Sequence, residues 1–179
     1  MKILISNDDT DTSTNYKSVL ERLRHEVIIT NTAEDCLKLY YQELQSIYFK
    51  TDAVEHKQPF DVIILDYKIP HIHGIEVAEE ILAVNPRQRI IFVSEYDNYI
   101  LIDSLRRLKE PIEVLQKPFS DKSLINIIEQ EDIYLEFERL KINTRYIKFA
   151  NFRHEQIREM LDILKRSRKQ NKEEEEEQS

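Results

Sequence analysis

Four points in this 179-residue chain place reactive side chains directly after short aliphatic runs. Asn7, Asp8 and Asp9 follow "KILIS"; Asp66 follows "VIIL"; Ser94 closes "RIIFVS"; Lys117, with Pro118 behind it, follows "IEVLQ". Brought together, these residues form a carboxylate cluster faced by a hydroxyl and an ammonium. Hard oxygen donors with room left for water suit Mg²⁺. A carboxylate is a poor nucleophile towards phosphorus until the anionic phosphoryl group is neutralised. A divalent cation and a lysine can do this together, while a hydroxyl hydrogen-bonds a third oxygen. The chemistry available to such a cluster is formation of an aspartyl phosphate on Asp66.

The elements that must position these residues are legible in the hydropathy pattern. The runs at 2–6, 26–30, 61–65, 89–94 and 112–115 are too short for helices and rich in β-branched residues, so they read as five strands, mostly buried on both faces. Helical spacing appears between them: Tyr16, Val19, Leu20 and Leu23; Leu37, Tyr40, Tyr41, Leu44 and Ile47; Ile75, Ala78, Ile81 and Leu82; Ile102, Leu105 and Leu108. A further helix follows Ser120, a candidate N-cap, with Leu124, Ile127 and Ile128 on its apolar face. Strand alternating with helix predicts an α/β fold, a doubly wound parallel sheet reached by right-handed crossovers. Ligands bind such sheets outside the carboxyl ends of the strands, where the strand order reverses. All four reactive points lie at carboxyl ends.

The stretch "LDYKIPHIHG" (65–74) resembles the D-x-x-x-P-x-x-x-G signature of the receiver domain of two-component response regulators. "ILISNDD", "VSE" and "LQKPF" stand in the right order around it, so the resemblance covers about residues 2–131. It implies a flavodoxin-like five-stranded sheet of order 2-1-3-4-5. It further implies Asp66 as phosphoacceptor, Asp8 as the main metal-binding carboxylate, Lys117 as the phosphate-binding lysine and Ser94 as the switch hydroxyl. Lys68 would lend its backbone carbonyl to the metal, and Pro70 and Gly74 would shape the loop. A sensor histidine kinase or phosphotransfer protein would be the partner and Mg²⁺ the cofactor. Turnover of a metabolite is not expected. A small phosphatase with an Asp nucleophile often has a second acid two residues on, where this chain has Lys68.

The chain departs from the family pattern in three places. Asn7 stands where the first of two acids is usual, which removes one negative charge; shifting the register by one would instead pair Asp8 with Asp9 as metal ligands. Val114 replaces the Tyr or Phe that swings inward in the family, so an aromatic rotamer switch cannot occur there. Glu95 replaces the small residue after the hydroxyl, where it could crowd the acceptor or repel an anion. Readout would then pass through Tyr96 or Tyr99. These departures leave a degenerate receiver, acting as a binding module, as the competing reading. His71 and His73 flank the site without further ligands and read as solvated.

Residues 132–170 read as a helical extension and 171–179 as an acidic disordered tail. Ile157, Met160, Leu161 and Leu164 form an apolar stripe, favouring a helix that packs on the receiver or pairs with a second copy as a homodimer. The span 139–172 is strongly basic, but the glutamate run 173–177 competes with phosphates for it, so nucleic acid is disfavoured as a partner. Residues 120–179, the first dozen of which belong to the helix after Ser120, are also tight for a winged-helix output domain. Net charge is −8 and the chain has one cysteine, Cys36, inside a helical pattern, which excludes an intramolecular disulfide and suggests a small buried hydrophobe. No signal peptide or long apolar span is present, so a cytoplasmic location is expected.

Overall fold

A computed structural model of the chain describes residues 1–50, 58–69, 72–95, 113–129 and 159–167, together with Leu105, Leu108, Glu136, Arg139, Leu140 and Lys169. Contacts divide the chain into two compact units, Met1–Glu129 and Gln130–Ser179.

The first unit runs β1 (Lys2–Ser6), α1 (Thr10–Glu21), β2 (Glu26–Thr30), α2 (Ala33–Lys50), β3 (Val62–Asp66), α3 (Gly74–Val84), β4 (Ile90–Ser94), β5 (Glu113–Gln116) and α4 (Asp121–Glu129). The strands form one parallel sheet in the order β2-β1-β3-β4-β5. This is the doubly wound parallel sheet that the alternation predicts, in the flavodoxin-like strand order that the family resemblance implies. Strand order reverses at β1, so the loops leaving β1 and β3 are neighbours at the switch point. Of the helix expected on Ile102, Leu105 and Leu108, Leu105 is helical and Leu108 is buried; the rest lies outside the described residues.

The strands read as unbroken aliphatic runs because each feeds two cores. Leu4, Ile63, Leu65 and Phe92 join a cluster with Tyr40, Phe60 and Ile81 on the α2–α3 side. Their chain neighbours Ile3, Ile5, Ile64 and Val93 join a second cluster with Leu20, Leu124 and Ile128 on the α1–α4 side. Successive side chains point to opposite faces, so a strand covered on both must be apolar throughout. Cys36 is fully buried in the first cluster, and burial pushes its thiol up to about 11.

Helix termini follow local chemistry. Asp9 caps α1, accepting from the Asp11 and Thr12 amides. The helix ends at Glu21, before Leu23, which is 38% exposed rather than on the buried stripe. Arg24, at φ 64°, takes the left-handed conformation that ends helices and turns the chain into β2. Ser120 caps α4 through the Ser123 amide at 3.1 Å, as its sequence position predicts. At the far end of α4, Arg89 donates to the carbonyls of Ile127 (2.6 Å) and Ile128 (3.2 Å) while paired with Glu113 at 2.6 and 3.0 Å.

In the second unit, residues 159–167 are helical. Leu161 is buried, Met160 and Leu164 are half-buried, and Ile163 is exposed, as the stripe predicts. Lys165 pairs with Glu136 at 2.7 Å. Ile157 and the glutamate run lie outside the described residues. Among the described residues, no helix is long and apolar enough to cross a membrane.

Candidate functional site

β3 is buried along its whole length and hydrogen-bonded on both sides, so it delivers Asp66 to the carboxyl edge of the sheet centre. Asp66 is 7% exposed. Its Oδ2 accepts from Lys117 Nζ at 2.6 Å and its Oδ1 from the Lys68 backbone N–H at 3.0 Å. Lys117 reaches Asp66 because its strand continues in register: the Lys117 amide donates to the Ser94 carbonyl at 2.8 Å, and Ser94 is paired with Gln116. Ser94 itself is buried at the end of β4, one strand from Asp66. Two of the residues singled out in the sequence, Asp66 and Lys117, are thus in direct contact.

The loop after β1 lines the same cleft. Asn7 is buried; its amide donates to the Thr30 carbonyl at 3.1 Å, and its Oδ1 accepts from the Asp9 amide at 2.9 Å. The Asp9 carboxylate also accepts from Thr12 Oγ1 at 2.6 Å, and the Thr12 and Asp11 donors hold the exposed carboxyl below its ordinary value. Asp8 and Asp9 are both exposed, but Asp9 is engaged in capping α1. Asn7, Asp8, Asp9, Asp66, Lys68, Ser94, Glu95 and Lys117 all line one cleft of about 150 Å³.

That donor set fits a hydrated divalent cation. Asp8 and Asp66 offer carboxylate oxygens, and Lys68, which lines the same cleft, can offer its carbonyl. Mg²⁺ commonly uses one or two carboxylates and keeps several waters. Among the described residues no three His, Cys, Asp or Glu side chains are grouped so that they could hold a metal ion by themselves.

Gly74 closes the loop that Asp66 opens. Its amide donates to the Tyr67 carbonyl at 3.1 Å, and a Cβ built on it would overlap the Asp66 backbone oxygen. Only glycine lets α3 start so close to the acceptor. Pro70 and His71 lie outside the described residues. His73 is exposed, with its ring centroid 6.0 Å from that of Tyr67.

Of the departures from the family pattern, Glu95 is exposed at the cleft rim and Val114 is half-buried against the α2–α3 core. Tyr96 and Tyr99 lie outside the described residues. Helical spacing marks Tyr16 only as one apolar position of α1 and says nothing of its neighbour. The Tyr16 ring stacks on Phe119, two residues beyond Lys117, with centroids 5.3 Å apart. Burial, then the carboxylates of Asp66, Asp9 and Glu95, push its phenol far above the ordinary value and keep it neutral. An aromatic residue on each side of the site was the available signal, but their pairing is a long-range contact that no local pattern encodes.

The "Response regulator receiver domain" family model matches residues 3–129, and the chain belongs to that family. It is 26% identical over 132 residues to the response regulator receiver protein CpdR of Brucella abortus (strain 2308), covering 72% of this chain and 94% of that one. Among solved structures, it is similar to a CheY-like response regulator receiver domain protein from Methanospirillum hungatei JF-1. That match has a TM-score of 0.57 and 24% identity, covering 72% of this chain and 90% of the other. A receiver domain from Clostridium thermocellum gives a TM-score of 0.57 at 20% identity, covering 79% and 98%. Receiver domains are signalling modules of two-component systems, not enzymes that turn over metabolites.

Proposed function

We propose that this receiver accepts a phosphoryl group on Asp66 from the phosphohistidine of a sensor kinase or phosphotransfer protein. The observation that carries this reading is the 2.6 Å contact of Lys117 Nζ with Asp66 Oδ2, inside a cleft that also presents Asp8 and Ser94. In the transfer, the P–N bond to the donor imidazole breaks as a P–O bond to the Asp66 carboxylate forms; the freed imidazole nitrogen takes a proton from water. Asp8, Asp66 and the Lys68 carbonyl would hold Mg²⁺, which supplies charge neutralisation at the phosphoryl oxygens. Lys117 exchanges its carboxylate partner for a phosphoryl oxygen, and Ser94 donates a hydrogen bond to another. Cytoplasmic location and pairing through the C-terminal helix accompany this reading as proposals; homodimer formation is tested by light scattering of the full chain.

The test is intact-mass measurement of the full chain after incubation with acetyl phosphate or phosphoramidate. Wild type with Mg²⁺ is expected to gain one phosphoryl mass, and wild type in EDTA and Asp66→Ala are not. No gain in wild type, or equal labelling of Asp66→Ala, would sink the proposal and leave a degenerate receiver that works by binding. Asn7 gives that second reading its footing, since its amide is fixed within the loop and brings no charge to the cleft.

A further inference from the structure

Both arms of the site hang on single residues of irregular loops. Asp8 sits between the end of β1 and the cap of α1, and Lys117 sits between β5 and α4. Neither loop is held by strand pairing beyond its first residue. The first is secured by Asp9, whose carboxylate accepts from two amides and one hydroxyl of the first turn of α1. In the second, the Lys117 amide is tied to the Ser94 carbonyl at 2.8 Å, and Pro118 and Phe119 lead on from it to the cap of α4 at Ser120.

Tyr16 adds a second tie, on the Phe119 side of this loop. It projects from the second turn of α1, is 7% exposed, and stacks on Phe119 at 5.3 Å with an interplanar angle of 30°. Phe119 packs with it against the α1–α4 core. Tyr16, Lys117, Pro118 and Phe119 also wall an open groove that shares Asp9, Glu95 and Lys117 with the cleft around Asp66. The helix that Asp9 anchors therefore reaches across and grips the lysine loop. The phenol stays neutral, so it adds no charge to a site where an anion must be bound.

We infer that Tyr16 is a positioning residue for phosphoryl transfer, its ring clamping the Lys117–Pro118–Phe119 loop so that the Lys117 ammonium is held at Asp66. This rests on the phosphoacceptor reading of Asp66 but makes a separate claim about Lys117. The clamp is the face of an aromatic ring, so Tyr16→Phe should preserve it and Tyr16→Ala should release it. Mg²⁺, taken up by Asp8 and Asp66, should be bound much as before in either variant. Loss of alignment of a charged group by about 1 Å is enough to cost on the order of a hundredfold in rate.

Two measurements on the full chain test this. In the first, phosphorylation by phosphoramidate is followed by intact mass, beside Mg²⁺ affinity by calorimetry. Tyr16→Ala should label roughly tenfold to a hundredfold more slowly at unchanged Mg²⁺ affinity, and Tyr16→Phe at close to the wild-type rate. In the second, acetylation of Lys117 by acetic anhydride is followed by peptide mass spectrometry without any phosphodonor. Lys117 is shielded, at 18% side-chain exposure, and should be modified severalfold faster in Tyr16→Ala but not in Tyr16→Phe. Wild-type Lys117 reactivity in Tyr16→Ala overturns the clamp. So does equal slowing of Tyr16→Phe, or a parallel loss of Mg²⁺ affinity, which would show general damage to α1. If wild type fails to label at all, the phosphoacceptor reading falls while the acetylation result still decides the clamp.

Discussion

At Gly74 the chain has no room for a methyl group. A Cβ there would overlap the Asp66 carbonyl oxygen and lie 3.3 Å from the Phe92 ring. Backbone cannot rotate aside as a flexible side chain can, so either α3 or the end of β3 must move. Gly74→Ala is expected to destabilise the protein by about 1–3 kcal/mol, the usual cost of overpacking, read by urea denaturation. Because the displaced carbonyl belongs to Asp66 itself, labelling at that residue should fall as well, even under conditions where the variant is fully folded. The need for glycine was legible in the sequence as the single glycine of the chain, eight residues after Asp66. The reason for it was not, since the collision involves a backbone atom of the acceptor. Asn7 shows the same limit. Its identity predicts a lost charge, whereas its hydrogen bond to the Asp9 amide, which makes it part of the α1 cap, appears only in three dimensions.

Among the elements, the strands were the most legible. Five aliphatic runs became five strands, with β3, β4 and β5 each beginning one residue later than the hydropathy suggests. Burial on both faces leaves a signal that no turn or surface residue interrupts. Ends were less legible: α1 stops before Leu23 because the chain turns through Arg24. Glu113 was hidden altogether, since an acid inside a strand reads as a surface position. It is 5% exposed and forms a two-point pair with Arg89, which in turn holds the last carbonyls of α4. Breaking a buried pair by removing one partner is costly because the other stays charged in a low-dielectric setting. Glu113→Ala should lower stability by about 3–5 kcal/mol in chemical denaturation, and a cost under about 1 kcal/mol would mean that Arg89 is served by the α4 carbonyls alone. A second junction, between the α1–β2 turn, the start of β1 and the end of α4, is made by His25. Its ring lies 3.4 Å from the Met1 ammonium and 3.7 Å from Glu129. Burial, then the ammonium, lower its pKa; Glu129 and Asp61 pull the other way without reversing the shift. The folded state therefore binds its proton less readily than the unfolded chain does. Stability from this group is full above the ordinary value of 6.5 and declines as pH falls from there towards the lowered folded value. Denaturation midpoints measured across that window should slope upward with pH in wild type and flatten in His25→Gln.

For the molecule as a whole, the division at Glu129 makes the first unit a candidate for independent folding. A chain ending at residue 131 should unfold in a single cooperative transition, monitored by circular dichroism, and should label at Asp66 as the full chain does. A broad transition would show that the receiver depends on the second unit for its stability. Within the first unit the sheet is one residue thick and separates two apolar clusters. Ile81 belongs to one and Ile128 to the other, with the strands between them. Damage on one side is therefore not shared with the other: the costs of Ile81→Val and Ile128→Val should sum in the double variant to within about 0.3–0.5 kcal/mol. Each flank can exchange its packing residues, and with them the surface it shows to others, without renegotiating the opposite flank. The seam between the two, where Asp66 emerges, is the part with no such freedom.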